Sequence, residues 1–478
     1  MAAHSVTTIT KSTIRCTSKA ALSKLDSPMI LGPLDQLVPP IIPVAVVYVY
    51  RATEDGKEVI PLERLRRAIS TLLDYHPHLS GRLHIDESDG VRGINRLNTG
   101  MGLYEAQCAS QLETTSSTPG RILLSDLPEG GNALLAPFEP TFDAICRDPI
   151  FTIQHTRFAC GGVALGVRTP HTVTDAEGFF QVVRDLAEIY RTDALARPPH
   201  LRPYLSELLH NMTPEDRESA LQFEPPLHTL TTDEAVPEPA QNPAAPAPPP
   251  PPVIGRVIRY SSADLSALKA HATNPDDSST WVSTFDALSA HIWQRTYAAR
   301  LRLVAAPATL SRAFLTSVNY RARLGVPARS PFNCLATPYG ALAHDELAGA
   351  PLHRVAAAVH ALVRAVAPAD AAATARWVAA QPDVRRVAWG FDARAGSTMV
   401  SAWNKFDVYG GAAFEGGRPP ALVAPPFTSV SLVDGLGYPM PTEGQASGGA
   451  EIDLYIALSE AVWEVLDGDE EWTRFGSG

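Results

Sequence analysis

The chain has 478 residues, 45% of them hydrophobic and 19% charged, an ordinary globular composition with length enough for two domains. A net charge of −11 argues against a nucleic-acid backbone as partner and leaves room only for a local basic patch facing an anionic small molecule. The five cysteines (Cys16, Cys108, Cys146, Cys160 and Cys334) are scattered with no C-x-x-C, which points to reduced thiols in a cytosolic protein rather than disulfides or zinc.

The N-terminus has no apolar core of signal-peptide length. The longest apolar run, Leu37–Tyr50, is broken by Pro39, Pro40 and Pro43 and is too short to span a bilayer. A soluble, cytoplasmic protein with no membrane partner is expected.

The run Leu31-Gly32-Pro33-Leu34-Asp35-Gln36-Leu37 precedes a Val- and Tyr-rich strand, Val44–Arg51. A helix led by Pro61 follows, with Leu62, Leu65, Ile69, Leu72 and Leu73 on one face. Next comes Tyr75-His76-Pro77-His78-Leu79-Ser80-Gly81-Arg82-Leu83, with a strand from Gly81; His76 and His78 read as surface or turn histidines. Residues 151–158 alternate as a strand, Gly161-Gly162 breaks it, and Val163–Val167 makes a second strand stopped by Pro170. His171-Thr172-Val173-Thr174-Asp175 then leads into a helix with apolar spacing over Phe179–Tyr190.

Of the 14 histidines only His171 has an aspartate four residues on. A bare His-x-x-x-Asp is a weak signal, and its plain reading is a loop histidine and a helix-capping aspartate. Its setting is stronger. A histidine at a strand end before a helix is held rigidly yet exposed.

Helices reach about Phe223, and composition then changes. Residues 224–252 are rich in Pro, Ala and Glu with no apolar periodicity, and read as an exposed linker ending in polyproline II at Pro248–Pro252. The second half opens with a strand, Val253–Tyr260, and a helix over residues 283–294 whose Phe285, Leu288, Ile292 and Trp293 face the core, with His291 a satisfied core histidine. A strand, Phe314–Val318, runs into Asn319-Tyr320-Arg321. An amphipathic helix carrying Val355, Val359, Leu362, Val363 and Val366 ends before Pro368. Ser401-Ala402-Trp403 reads as strand-like, and the C-terminus as a Gly-bounded strand and an acidic helix.

Taken together, residues 154–180, LGPLDQL, the Tyr-x-Pro-x-Leu-x-Gly-Arg-Leu run, Ser283–Trp293 and Asn319–Leu324 resemble, in order, the BAHD acyltransferases, which move acyl groups from coenzyme A. The resemblance implies an α/β (α+β) fold of two similar-sized domains, each a mixed sheet with covering helices. This is a chloramphenicol acetyltransferase-like arrangement with the active site in the channel between them. The domains would be residues 1–223 and 253–478, joined by the crossover 224–252. The resemblance implies His171 as general base, an Asp175–Arg321 salt bridge, Ser401 and Trp403 near the acyl carbonyl, and Ser283 as a candidate contact for coenzyme A. It implies acyl-coenzyme A as cosubstrate, no bound cofactor or metal, a small-molecule alcohol or amine as acceptor, and a monomer.

Three places depart from the family, one of them its Tyr-Phe-Gly-Asn run near 331, here reduced to Phe332-Asn333. The glycine often found after the aspartate is Ala176. The Asp-Phe-Gly-x-Gly loop lacks its carboxylate, whose place falls on Ala413 or Ala412, ahead of Arg418-Pro419. Gly410-Gly411 and Gly416-Gly417 make this loop pliant, with Phe414 as an apolar anchor and no arginine prepared for a new aspartate.

The residues themselves support direct attack. An imidazole titrates near neutrality and suits a base, and no Gly-x-Ser-x-Gly offers a nucleophile for an acyl-enzyme. No Gly-x-x-x-x-Gly-Lys, His-Glu-x-x-His or paired Cys spacing implies a nucleotide triphosphate or a metal. The missing loop aspartate leaves a second reading open, a catalytically weak homologue that binds a small molecule. A third is a carrier-protein condensation domain, which usually has a second histidine where this chain has Pro170.

Overall fold

The computed structural model describes residues 5–112, 120–231, 252–277, 279–393 and 396–476. Most of the proposed linker, residues 232–251, lies outside them.

Twelve strands among the described residues build two six-stranded sheets. In chain order they are β1 (Val6–Ile14), β2 (Pro43–Tyr50), β3 (Met101–Cys108), β4 (Thr152–Phe158), β5 (Val163–Pro170), β6 (Val253–Tyr260), β7 (Ala313–Thr316), β8 (Tyr339–Ala341), β9 (Thr398–Val400), β10 (Leu422–Ala424), β11 (Leu436–Pro441) and β12 (Ile452–Ser459). The first sheet runs β1-β3-β4-β5-β2-β10 and the second β6-β12-β11-β9-β7-β8. Each is mixed: β3 and β4 are parallel, as are β7 and β9, while most other pairs are antiparallel. Strand β10 comes from the second half of the chain but pairs with β2 in the first sheet, Leu422 opposite Val49. Nothing in the composition on either side of the linker foretells this exchange.

Two helices cover the first sheet's site-bearing strands. Helix α1 (Leu62–Tyr75) buries Leu65, Ala68, Ile69, Leu72 and Leu73, one apolar stripe at helical spacing. Helix α2 (Ala176–Thr192) buries eleven of its 17 residues, so it runs through the core rather than over it. It stops where Asp193 adopts the left-handed conformation at φ 64°. In the second half, α3 (Thr284–Leu301) is likewise buried on nearly all sides, from Phe285 to Arg300.

Four local expectations are corrected. Strand β5 continues through Val167 to Pro170, because Pro170 sits at the strand end opposite Pro43 and needs no ladder donor there. The linker's first residues are not free: His228–Leu230 pairs with Val387–Trp389. Ser401 and Trp403 are not in a strand, since β9 ends at Val400. His76 and His78 are not on the surface. Both are fully buried, because the short 3-10 helix Pro77–Ser80 tucks them beneath α2 and beside Phe332. His76 Nε2 meets Asp185 Oδ2 of α2 at 2.9 Å.

Candidate active site

The antiparallel register of β2 and β5 delivers His171 one residue beyond the ladder, where its N–H donates to Ile42 O at 2.8 Å. The next element begins at once. Asp175 caps α2, its Oδ1 accepting from Gly178 N at 2.9 Å, which satisfies an orphan donor of the first turn. The imidazole is therefore fixed between a strand end and a helix start. Gly178 permits the close approach of α2 to the second half, since a Cβ there would lie 2.0 Å from Pro331 O.

Asp175 does more than cap. Arg321 forms a two-pronged pair with it, Nη1 to Oδ2 at 2.9 Å and Nη2 to Oδ1 at 2.8 Å, with both side chains almost wholly buried. Burial opposes the guanidinium charge, but the carboxylate beside it prevails and holds the Arg321 pKa above its ordinary value. Arg321 also donates to Phe332 O, and Asp175 Oδ2 accepts from Cys334 N at 3.0 Å. The pair thus holds the irregular segment 330–334 of the second half against the His171 segment of the first.

Two residues that the sequence reading did not single out complete this junction. The Asn333 side-chain amide donates to His171 O at 2.9 Å and to Asp35 Oδ1 at 2.8 Å. Asp35 Oδ1 also accepts from Asn333 N at 2.7 Å, and Thr172 Oγ1 donates to Asp35 O at 3.0 Å. LGPLDQL is a family-like run and Phe332-Asn333 the remnant of one, but no local pattern ties positions 298 residues apart.

His171 is half-buried. Its Nδ1 is buried without a hydrogen-bond partner, so Nε2 is the nitrogen left to meet a substrate. The ring is crowded by protein atoms, and this desolvation lowers its pKa; its own backbone, Asp175 and Asn333 oppose the effect. The imidazole is accordingly neutral near pH 7, the form a base requires.

Ser401 and Trp403 form a separate cluster. Trp403 Nε1 donates to Ser401 Oγ at 3.2 Å, and Ser401 Oγ lies 2.9 Å from Ser317 Oγ. The indole packs edge-on against Phe180 of α2 and beside Tyr438 of β11. Helix α2 is thus the common support of this cluster and of His171. Ser283 sits elsewhere, as the N-cap of α3. Its Oγ accepts from Asp286 N at 3.1 Å, while Asp286 Oδ2 takes Ser283 N and His360 Nδ1. His291 is in the core, stacked on Trp472, but its buried Nε2 has no hydrogen-bond partner, so the histidine is not the satisfied one expected.

The loop without its aspartate is braced by other groups. Ala412, Ala413 and Phe414 are buried, and Phe414 packs between Tyr50 and Tyr190. Tyr50 OH donates to Ala412 O at 2.8 Å, and Arg191 donates to Ala413 O. Glu415 supplies a carboxylate two places on, paired with Arg64 at 3.1 Å and accepting from Tyr190 OH. Arg191, at the end of α2, thus reaches this loop from the first half and is spent on the Ala413 carbonyl.

Among the described residues no helix is long and apolar enough to cross a membrane, and no group of three or more His, Cys, Asp or Glu could hold a metal ion.

Two mixed six-stranded sheets, with a histidine beyond one strand end and a buried aspartate–arginine pair linking that segment to the second half, define a class of two-domain α/β fold. Residues 4–472 match the model of the family described as Transferase family, and the chain belongs to that family, as a BAHD acyltransferase. It is 28% identical over 352 residues to the O-acetyltransferase epaC of Aspergillus niger, covering 71% of this chain and 72% of that protein. It is 28% identical over 336 residues to the trichothecene 3-O-acetyltransferase TRI101 of Fusarium sporotrichioides, covering 68% of each. The match to the acyltransferase GLAUCE of Arabidopsis thaliana, 25% identical, spans about half of that protein, 54%. The F. sporotrichioides TRI101 structure, complexed with coenzyme A and T-2, superposes with a TM-score of 0.69 at 21% identity, covering 94% of this chain and 98% of that one. Vinorine synthase gives 0.69 at 15% identity over 99% of both. These likenesses show the chloramphenicol acetyltransferase-like fold.

Proposed function

We propose that the protein transfers an acyl group from acyl-coenzyme A to a hydroxyl, or alternatively an amine, of a small secondary-metabolite-like acceptor. Direct attack occurs in a ternary complex, with no resident cofactor. The observation that carries this reading is His171 itself. Its backbone is held from both halves of the chain, its Nδ1 is buried, and its Nε2 is left open. The solved TRI101 complexes and the acetyltransferase names of the relatives support coenzyme A as the carrier.

In this mechanism the acceptor oxygen attacks the thioester carbonyl while His171 Nε2 takes its proton. The C–O bond forms, and the carbonyl electrons move to oxygen. The Ser401 hydroxyl, with the Trp403 indole beside it, is the candidate donor to that oxyanion. Collapse breaks the C–S bond, and the imidazolium returns its proton to the departing thiolate. Asp175 stays turned into its pair with Arg321 and takes no proton. Ser283, on the helix cap, is the candidate contact for the carrier. The halves 1–223 and 253–478 act as the two walls of the site, and the protein works as a cytoplasmic monomer.

The brace around Phe414 and Glu415 supports this reading over a binding-only homologue, because the loop's lost aspartate has structural substitutes. The test is a screen of acyl-coenzyme A donors by thiol release against a panel of alcohols and amines. Acceptor-dependent thiol release supports the reading. Tight binding of acceptors without release from any donor would favour the binding protein.

A further inference from the structure

Asp35 is fully buried and far from His171 in sequence, and the acyl-transfer step described above gives it nothing to do. It lies on the short helix Pro33–Gln36, where its Oδ2 accepts from Gly32 N at 2.8 Å. Its Oδ1 takes both the backbone and the side-chain N–H of Asn333. A carboxylate kept out of water at such cost asks for a reason.

We propose that Asp35 is a positioning residue for His171, acting through Asn333. The inference rests on the acyl-transfer reading only for its kinetic arm.

The amide of Asn333 has two N–H donors, and both are spent: one on Asp35 Oδ1, the other on His171 O. This fixes the direction of the carboxamide. Turning it over would set its carbonyl oxygen against the Asp35 carboxylate and drop the bond to His171 O. With the amide so held, Asn333 Oδ1 is left as a buried acceptor with no donor, and His171 Nδ1 as a buried ring nitrogen with no partner. When Nε2 accepts the substrate proton, both ring nitrogens carry hydrogen, and Nδ1–H needs an acceptor. The backbone of His171 itself and, more weakly, the Asn333 side chain favour that charged form. Asp35 thus sets the amide, and the amide holds the His171 backbone.

The groups around Asp35 fit this role. Burial raises its pKa to about 7, against the hydrogen bonds from Asn333 and Gly32 that lower it, and Asp175 adds a small push upward. Arg92 and Cys334 are its other charged or titratable neighbours. Arg92 is committed to Gln36 O and Val38 O and makes no ion pair with Asp35 among the described contacts. The amide of Asn333 is therefore the principal partner of the carboxylate.

The test compares wild type, Asp35→Ala, Asp35→Asn and Asn333→Ala. It measures kcat and KM for donor and acceptor, and the titration of His171 by NMR of 13C-labelled histidine, assigned with His171→Ala. Asp35→Ala and Asn333→Ala are expected to lower kcat on the order of 10²-fold, the cost of a small misplacement of a reacting group, with both KM values near wild type. Both should also lower the pKa of His171. Asp35→Asn keeps one oxygen for Asn333 and should recover much of kcat, while losing stability where its NH2 meets Gly32 N–H. Wild-type kcat and wild-type His171 titration in folded Asp35→Ala would overturn the proposal. If Asp35→Ala does not fold, Asn333→Ala decides in the same way: an unmoved His171 titration overturns it. Should the wild type turn over no donor at all, the acyl-transfer reading fails, and the titration still judges the positioning role.

Discussion

Arg321 and Asp175, 146 residues apart, meet as a buried two-pronged ion pair that ties the strand end of one half to the helix cap of the other. Isolated, such a pair is weak evidence for stability, because desolvation offsets its attraction. Here the carboxylate has further donors in Gly178 N and Cys334 N, so its remaining lone pairs are occupied. Removing either partner leaves the other charged and buried. Asp175→Ala and Arg321→Ala should each destabilise by about 3–5 kcal/mol. Urea unfolding of both singles and the double variant checks this. The double should cost clearly less than the sum, and additive losses would show that the pair is not coupled.

Acid should destabilise the fold, and the sign follows from the buried histidines. Burial lowers the pKa of His228 to about 4 and of His291 to about 3, and of His78 well below its ordinary value. Each is neutral in the folded chain and charges more readily in the unfolded one. Their contribution is complete above about pH 6.5 and is lost as pH falls toward the folded values. Asp35, raised to about 7, works the other way: its contribution is lost as pH rises through 7. One carboxylate does not offset three histidines, so Tm should fall from pH 7.5 to pH 5. His78→Leu should flatten that slope, since both ring nitrogens of His78 lack partners and an apolar group of similar size leaves nothing unsatisfied. A Tm that rises on acidification would contradict this.

The loop should need packing more than charge. Phe414 lies between Tyr50 and Tyr190, fully buried, and Phe414→Ala should cost about 3–5 kcal/mol. The Glu415–Arg64 pair is partly exposed, and Glu415→Ala should cost only about 0.2–1 kcal/mol. Ala413→Asp should bring no gain in activity. Thermal melts and turnover of the three variants check this. Activity that appears only with Ala413→Asp would restore the loop aspartate as a requirement.

Ser401→Ala should lower kcat with little change in KM for the carrier, because a donor to a developing oxyanion acts in the transition state. Its hydroxyl is tied to Ser317 and Trp403, so Ser317→Ala should show a weaker effect of the same kind. Unchanged kcat in folded Ser401→Ala would remove it from the chemistry.

How much of this could be read from the chain depended on the range of each interaction. His171, Asp175 and α2 lie within a few residues of one another, and strand-end and cap chemistry is local. The strands at 43–50, 152–158 and 253–260 and the stripe of α1 followed from periodicity alone. Arg321 was placed opposite Asp175 only through family likeness, since spacing says nothing across 146 residues. Asp35 and Asn333 escaped notice as partners for the same reason. His76 and His78 flank Pro77, where no helical or strand period applies, so their burial depends wholly on tertiary packing. Glu415 stands two places beyond the position of the family's aspartate, and its arginine, Arg64, is 351 residues away, so no local pattern marks the pair.

The central claim is that His171 is the base of an acyl transfer from coenzyme A. The direct measurement is thiol release from acyl-coenzyme A in the presence of small alcohols or amines, for wild type and for His171→Ala of verified fold, across pH. Wild type should release thiol only with acceptor and should keep its activity to a pH below the ordinary imidazole range, since burial depresses the His171 pKa. His171→Ala should be slower by about 10²–10⁴-fold. Equal turnover in the two proteins, or no acceptor-dependent release by wild type with any donor, would contradict the account.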